Sequence, residues 1–409
     1  MRKEHTLNNN RSTIRYLGDC DILACLAAFF LILTFAIKVF TDGPYLRGEV
    51  SSAIAYSKYA TALIACFFGF AGLIKRSGKL FSKETNKLLI VSVLFFLVSI
   101  YLQAKSQHVS TTVFIELIKL VMPVLLAYCI LNALDERMLF ECMKIILVIS
   151  FIGYLVDMAH EGLSLFDIFS ADFSKSQSAT EHSGLAGISL VLSLFFLYFD
   201  KQKWPLYLSV AFCLLTFKRL AMLVVLTGLI VTRLFPSLKK SKVPKCVITV
   251  SKIATITAVF IWYWLLLPQQ EQLFVQLFNE NPFDFTSGRS GIMRWLIDSG
   301  FVSYGFGSAN DTVNSVFGVP FEMDFIKIAF ELSPILMCVF IWAFWDAAGD
   351  CFWGYFIVAY FIINMITSDS LSSNFSFTLA YISIGLINYA SDRESTSESF
   401  FASSPVPRG

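Results

Sequence analysis

The chain has 409 residues, of which 56% are hydrophobic and 15% charged. A water-soluble domain carries roughly 25% charged residues, so a soluble globular enzyme is excluded. The net charge of +2 carries little by itself, because the two leaflets of a bilayer divide it unequally. Nine Cys at scattered spacings, with no CxxC and no paired Cys/His ligands, argue against both a zinc site and a disulfide framework.

In chain order, a polar and basic stretch at 1–21 precedes the first apolar run and lacks a small-residue cleavage pattern, so the first span itself is expected to target the chain. Hydropathy and length then predict about twelve spans. They lie at 22–40, 54–74, 88–104, 113–134, 138–159, 184–199, 204–217, 220–236, 246–268, 322–345, 351–367 and 373–390. Long uninterrupted apolar runs satisfy their backbone groups internally as helices rather than as barrel strands. The fold class is therefore all-α, a polytopic integral membrane protein of about twelve transmembrane helices with one large outer loop.

With the N-terminus inside, alternate loops collect Lys75, Arg76, Lys83, Lys87, Arg137, Lys203, Lys239 and Lys242, while the opposite loops are poor in Lys and Arg. That asymmetry places both termini in the cytoplasm. The predicted organisation is a cytoplasmic N-terminus (1–21), a membrane bundle of about nine spans (22–268), a large outer loop (269–321), three further spans (322–390) and a disordered cytoplasmic tail (391–409).

Two outer loops are long. His160–Ser183 carries an apolar cluster from Leu163 to Phe169 that suits the membrane interface. In Gln269–Phe321, Glu271–Phe278 is amphipathic, Asn279–Pro282 breaks the pattern, and Ser290–Ser299 predicts a second short helix. The flexible turn Tyr304-Gly305-Phe306-Gly307-Ser308 follows. Loops of this length usually carry function.

Basic residues on the outer face have no role in insertion, and lipid-linked phosphate is their natural partner there. Lys218 and Arg219 interrupt the apolar run from Trp204 to Phe235, which predicts a hairpin with its tip set into the membrane. The alternative is a tip that snorkels to headgroups. Arg289 lies among small residues in Thr286–Trp295, where a helix starting near Ser290 would aim free N–H groups at an anion. Arg294, five residues on, either joins it or pairs with Asp298 at i,i+4.

Glu322, Asp324, Lys327 and Glu331 open the tenth span, and the last three share one helical face. They either line a substrate path or form an internal network that holds the bundle. Glu116 and Lys119 read as an internal pair. Asn364, Asp369 and Asn374 flank the last outer turn and either line the same cavity or, the favoured reading, form a plain solvated turn. His182 beside Glu181 is a loop histidine that either serves as a base or is merely solvated. The tripeptides at Asn310 and Asn374 match a glycosylation acceptor, a pattern common by chance. No P-loop, HExxH, GxSxG or dinucleotide fingerprint is present.

In topology the chain resembles the bacterial O-antigen polymerase and ligase superfamily. Thr216-Phe217-Lys218-Arg219 is similar to that family's Ser-Arg turn, with Lys before the Arg. Thr286–Trp295 followed by Tyr304-Gly305-Phe306-Gly307 resembles its Gly-Arg…Trp…Gly-x-Gly loop. Phe321–Pro334 is similar to its His-Asn-containing span start, but Glu322 stands where the ligases carry His and Ser333 where Gly is usual. The resemblance implies an inner-membrane glycosyltransferase, its large outer loop periplasmic, that joins undecaprenyl-diphosphate-linked repeat units, with a polymerase favoured over a ligase. Arg219 and Arg289, with Lys218, would clamp the departing diphosphate. Glu322 or Asp324 would accept the acceptor's proton. Arg294, Lys327 and Glu331 would contact substrate. The resemblance also implies a chain-length-regulating co-polymerase as partner. No cofactor, metal or nucleic acid is expected. A lipid-linked oligosaccharide flippase is the non-enzymatic alternative, although repeated halves are not evident.

Overall fold

The computed structural model describes residues 22–73, 80–162, 183–200, 202–371 and 373–402. The apolar cluster at 163–169 and the Glu181-His182 pair lie outside them. Every regular segment among the described residues is helical. Six helices are long and apolar enough to cross a membrane: α1 (Ile22–Leu46), α2 (Ser52–Leu73), α3 (Ser82–Ser106), α4 (Thr111–Ala133), α5 (Glu136–His160) and α9 (Lys245–Leu265). Shorter helices complete the bundle: the apolar α6 (Ser183–Phe199), α7 (Lys203–Leu215), α15 (Pro334–Asp346) and α16 (Phe352–Thr367), and α8 (Arg219–Leu234), which carries an Arg near each end. The last helix, α17, runs from Asn374 to Ala402.

Sequence chemistry sets several of these boundaries. Ser110 accepts from the Thr112 N–H and Asp135 from the Met138 N–H, which caps α4 and α5. A helix that is apolar all round belongs inside. Accordingly α6, with Leu190, Val191, Leu192, Leu194 and Phe195 fully buried, packs in the centre against α17, α7 and α8. The opposite pattern marks the periphery. Phe67 and Phe70 of α2, Ile90 and Leu97 of α3, and Val250 and Ile253 of α9 are exposed large apolar side chains. An apolar perimeter around a buried core is a lipid-facing surface, so the protein is a helical membrane protein.

Two sequence expectations are corrected. The run 322–345 is two helices: α14 (Asp324–Glu331) ends before Leu332-Ser333, and α15 restarts at Pro334. Pro334 cannot donate to the preceding turn and drives Ser333 out of the helical region, and the Ser333 hydroxyl caps the Leu336 N–H. The tail expected to be disordered from 391 continues as helix to Ala402. Once its buried portion is formed, α17 extends one residue at a time at little cost. Lys242 pairs with Asp392 at 2.9 Å and Arg393 lies over the Tyr389 ring, which holds this extension.

The segment 266–323 is not a loose loop. It contains α10 (Glu271–Phe278), α11 (Pro282–Phe285), α12 (Arg289–Asp298) and α13 (Ser308–Phe317). These build a second core from Phe274, Met293, Leu296, Ala309, Val313 and Phe321, joined by Leu266 from the end of α9 and Ile326 of α14. The amphipathic 271–278 helix forms as predicted, and α13 was not foreseen. This small body sits at the bundle end that carries the C-terminus of α1, the N-terminus of α4 and the α7–α8 turn.

Candidate functional site

The α7–α8 hairpin forms as the sequence predicts. Thr216 is buried and its hydroxyl donates to the Cys213 carbonyl at 2.8 Å, while Phe217 takes the left-handed conformation (φ 51°) that reverses the chain. The Tyr154 hydroxyl donates to the Leu215 carbonyl at 2.6 Å and pins the tip to α5. The 13 residues of α7 rise only ~20 Å, short of the ~30 Å hydrocarbon core. Lys218 at the tip is half-buried, whereas Arg219 is exposed and has no ion-pair partner among the described residues.

Arg289 opens α12, after Ser287 and Gly288 in left-handed conformations. Its guanidinium pairs with the Glu322 carboxylate and donates to the Thr286 carbonyl at 3.4 Å. Arg294 points elsewhere. It donates to the Leu266 carbonyl at 3.1 Å and pairs with Glu271 at 2.8 Å, not with Asp298. It thus ties α12 to the end of α9 and the start of α10, apart from the residues described next.

Lys218, Arg289 and Glu322 line two adjoining cavities. The larger, about 1100 Å³, also takes in Arg219, Asn281, Asp284 and Ser287. The smaller, about 390 Å³, runs inward and brings in Lys38, Asp42, Lys58 and Lys119. Asn364, Asp369 and Asn374 line it too, so the last outer turn belongs to the cavity rather than to plain solvent. Among the described residues, five basic side chains face three carboxylates across the smaller cavity, an excess of positive charge. Sequence reasoning missed Lys38, Lys58 and Lys119 as site residues. The signal was available for Lys38, because an ionisable residue inside a span usually faces a cavity.

Beneath the cavity floor the charged face of α14 is buried. Lys327 lies 3.2 Å from Asp369, 3.5 Å from Asp324 and 4.0 Å from Glu116, and Glu116 also holds Lys119 at 2.6 Å. Asp324 accepts from the Ser370 and Leu371 N–H groups at 2.7 and 3.0 Å. Glu331 accepts from the Gly307 and Ala309 N–H groups, both at 2.8 Å. Asp324, Lys327 and Glu331 therefore form the internal network that was one of the two sequence readings, and none of the three lines either cavity. Asp369 is the member that reaches both the network and the cavity. Asn310 and Asn374, the tripeptide asparagines, are buried, with Asn310 accepting from the Phe321 N–H at 2.9 Å and Asn374 donating to Tyr59 at 3.4 Å.

The Tyr304–Ser308 turn threads between α4 and Glu331. Gly307 needs φ +98°, and a Cβ there would meet the Glu116 side chain at 2.7 Å, so only glycine fits. Asp311 anchors the turn to α4, accepting from Ser110 at 2.9 Å, Thr112 at 3.1 Å and Tyr304 at 2.8 Å. Partial burial works against its charge, but these donors outweigh it and hold its carboxyl below the usual range. A depressed carboxyl adds stability above its unfolded value and loses it as pH falls through the folded one. Asp311→Asn is therefore expected to lower the thermal midpoint at neutral pH. The gap to wild type narrows as pH drops below ~4 and closes once the folded-state value is passed. A gap independent of pH would show that charge is not what Asp311 contributes.

The sequence matches no protein-family model and, at a significant level, none of the curated proteins.

Proposed function

We propose that the protein is a polysaccharide polymerase, which joins undecaprenyl-diphosphate-linked oligosaccharide repeat units on the outer face of the bacterial inner membrane. Two basic groups some 70 residues apart in sequence, Lys218-Arg219 and Arg289, face one cavity at one end of the bundle, and this convergence carries the reading. In this reading the bundle crosses the membrane about twelve times, counting the short hairpin and the broken α14–α15 pair as spans. The cavity then opens on the periplasmic side beneath the folded 266–323 body.

The chemistry follows from the side chains. A hydroxyl of one lipid-linked unit attacks the anomeric carbon of another. The carbon–oxygen bond to the carrier breaks, and its electron pair leaves with undecaprenyl diphosphate. Negative charge grows on the departing phosphate oxygens, where the planar donors of Arg219 and Arg289 and the Lys218 ammonium meet it. The hydroxyl proton passes to a carboxylate. Glu322 stands beside Arg289 at the junction of the two cavities and is the acceptor best placed for it, with Asp369 next. Asp324, held by two backbone amides away from both cavities, keeps the floor in place instead.

The test is the surface glycan of cells lacking the protein, separated by length on a gel. Collapse of a ladder to a single repeat unit is expected. Long polymer stranded on its carrier would mean a ligase. Loss of all glycan, with units held on the cytoplasmic leaflet, would mean a flippase.

A further inference from the structure

We infer that the inner 390 Å³ cavity is a subsite for a carboxylate-bearing sugar at the growing end of the acceptor, read by Lys58 and Lys119. This rests on the polymerase reading.

The first observation is charge. Lys38 of α1 lies 3.3 Å from Asp42, and Lys58 of α2 pairs with the same carboxylate. Two ammonium groups share one carboxylate, which leaves one positive charge in excess among the described residues. Lys119 of α4 is balanced only in part, because its partner Glu116 also faces Lys327. The Lys38 side chain is just 6% exposed, so this charge sits where water screens it weakly. A single excess charge suits a monoanion.

The second observation is the wall. Tyr45, Tyr56 and Tyr59 line the same cavity, with successive ring centroids 6.0 Å apart. Aromatic faces beside hydroxyl and amide groups such as Ser373 and Asn374 suit a sugar ring with its hydroxyls. The volume falls within the ~300–1,000 Å³ of small-molecule sites.

Position separates a sugar charge from a carrier phosphate. The inner cavity begins at Arg289 and Glu322, where the new bond would form. The part of an acceptor that reaches this point is the sugar bearing the attacking hydroxyl. Its own diphosphate lies at the far end of the repeat unit, so the charge met by Lys58 and Lys119 belongs to the sugar.

Two measurements test this. Composition analysis of the native polymer is expected to find a uronic or other carboxylate-bearing sugar, and a polymer without one overturns the inference while leaving the polymerase ladder intact. Lipid-linked repeat units are then supplied to the purified full-length protein, either native or with their carboxyls chemically reduced to alcohols. Wild type is expected to favour the native units by about tenfold, the worth of one charged hydrogen bond. Lys58→Met with Lys119→Met should bring that ratio close to one, and Lys58→Arg should retain it. Removing Lys58 leaves Asp42 paired with Lys38, so the fold keeps its buried partner. A ratio near one in wild type, or a ratio unmoved in the double variant, overturns the inference. Failure of the wild type to elongate any unit counts against the polymerase reading itself.

Discussion

Arg289→Ala is expected to cut polymer formation by about 10²–10³-fold, the usual cost of losing one preorganised donor to developing charge. The protein should still reach the membrane at its normal level. Arg289 is only partly buried and its one carboxylate partner among the described residues, Glu322, is itself 36% exposed, so truncation strands no charge in the interior. Arg289→Lys restores little, because a single ammonium does not reproduce the planar fork that meets phosphate oxygens in pairs. Arg219→Ala should behave the same way. Arg294→Ala should not: it removes the tie to Glu271 and Leu266, so it loosens the 266–323 body and lowers thermal stability before it touches turnover. The measurement is glycan chain length and amount, with membrane protein level taken from the same cells. Wild-type chains from Arg289→Ala would sink the diphosphate clamp. Full activity from Glu322→Gln would move the proton acceptor to Asp369.

What the sequence made legible follows from the physics of each signal. Apolar length located the long helices, and the Lys218-Arg219 interruption located the hairpin, since charge and chain reversal both have to sit where the apolar run stops. The amphipathic 271–278 segment formed as read because its pattern is local. The break at Ser333-Pro334 was equally local and should have divided the tenth span. Other features are tertiary. That Arg294 pairs with Glu271 instead of Asp298 depends on how α12 meets α10. Lys38 carried a signal as an ionisable residue inside a span, but that it shares one cavity with Lys58 and Lys119 is set only when α1, α2 and α4 come together. Asp369 and Asp324 look alike in sequence, and only the fold turns one toward the cavity and the other onto two backbone amides.

Lys327→Met is expected to be the most destabilising single change in the site, by about 3–5 kcal/mol, because it removes one partner from a buried ionic group and leaves the rest uncompensated. Lys327 is fully buried among Asp324, Asp369 and Glu116, none more than 7% exposed. Methionine keeps most of the volume, so a cavity contributes little to the loss. The effect is read as a lowered thermal midpoint of the purified protein, well beyond that of Arg289→Ala. Adding Asp324→Asn to Lys327→Met removes one of the stranded charges, and Asn still has an oxygen to accept from the Ser370 and Leu371 amides. The double variant should therefore be more stable than Lys327→Met alone, a coupling that a double-mutant cycle isolates. Additive losses would mean that the two side chains act separately and that the floor of the cavity is held by packing. Recovery of stability in the double variant would instead show that the opposite charges of Lys327 and Asp324 on α14 are coupled and hold the buried floor of the cavity. The same network then links the buried floor to the carboxylate second in line to take the acceptor's proton.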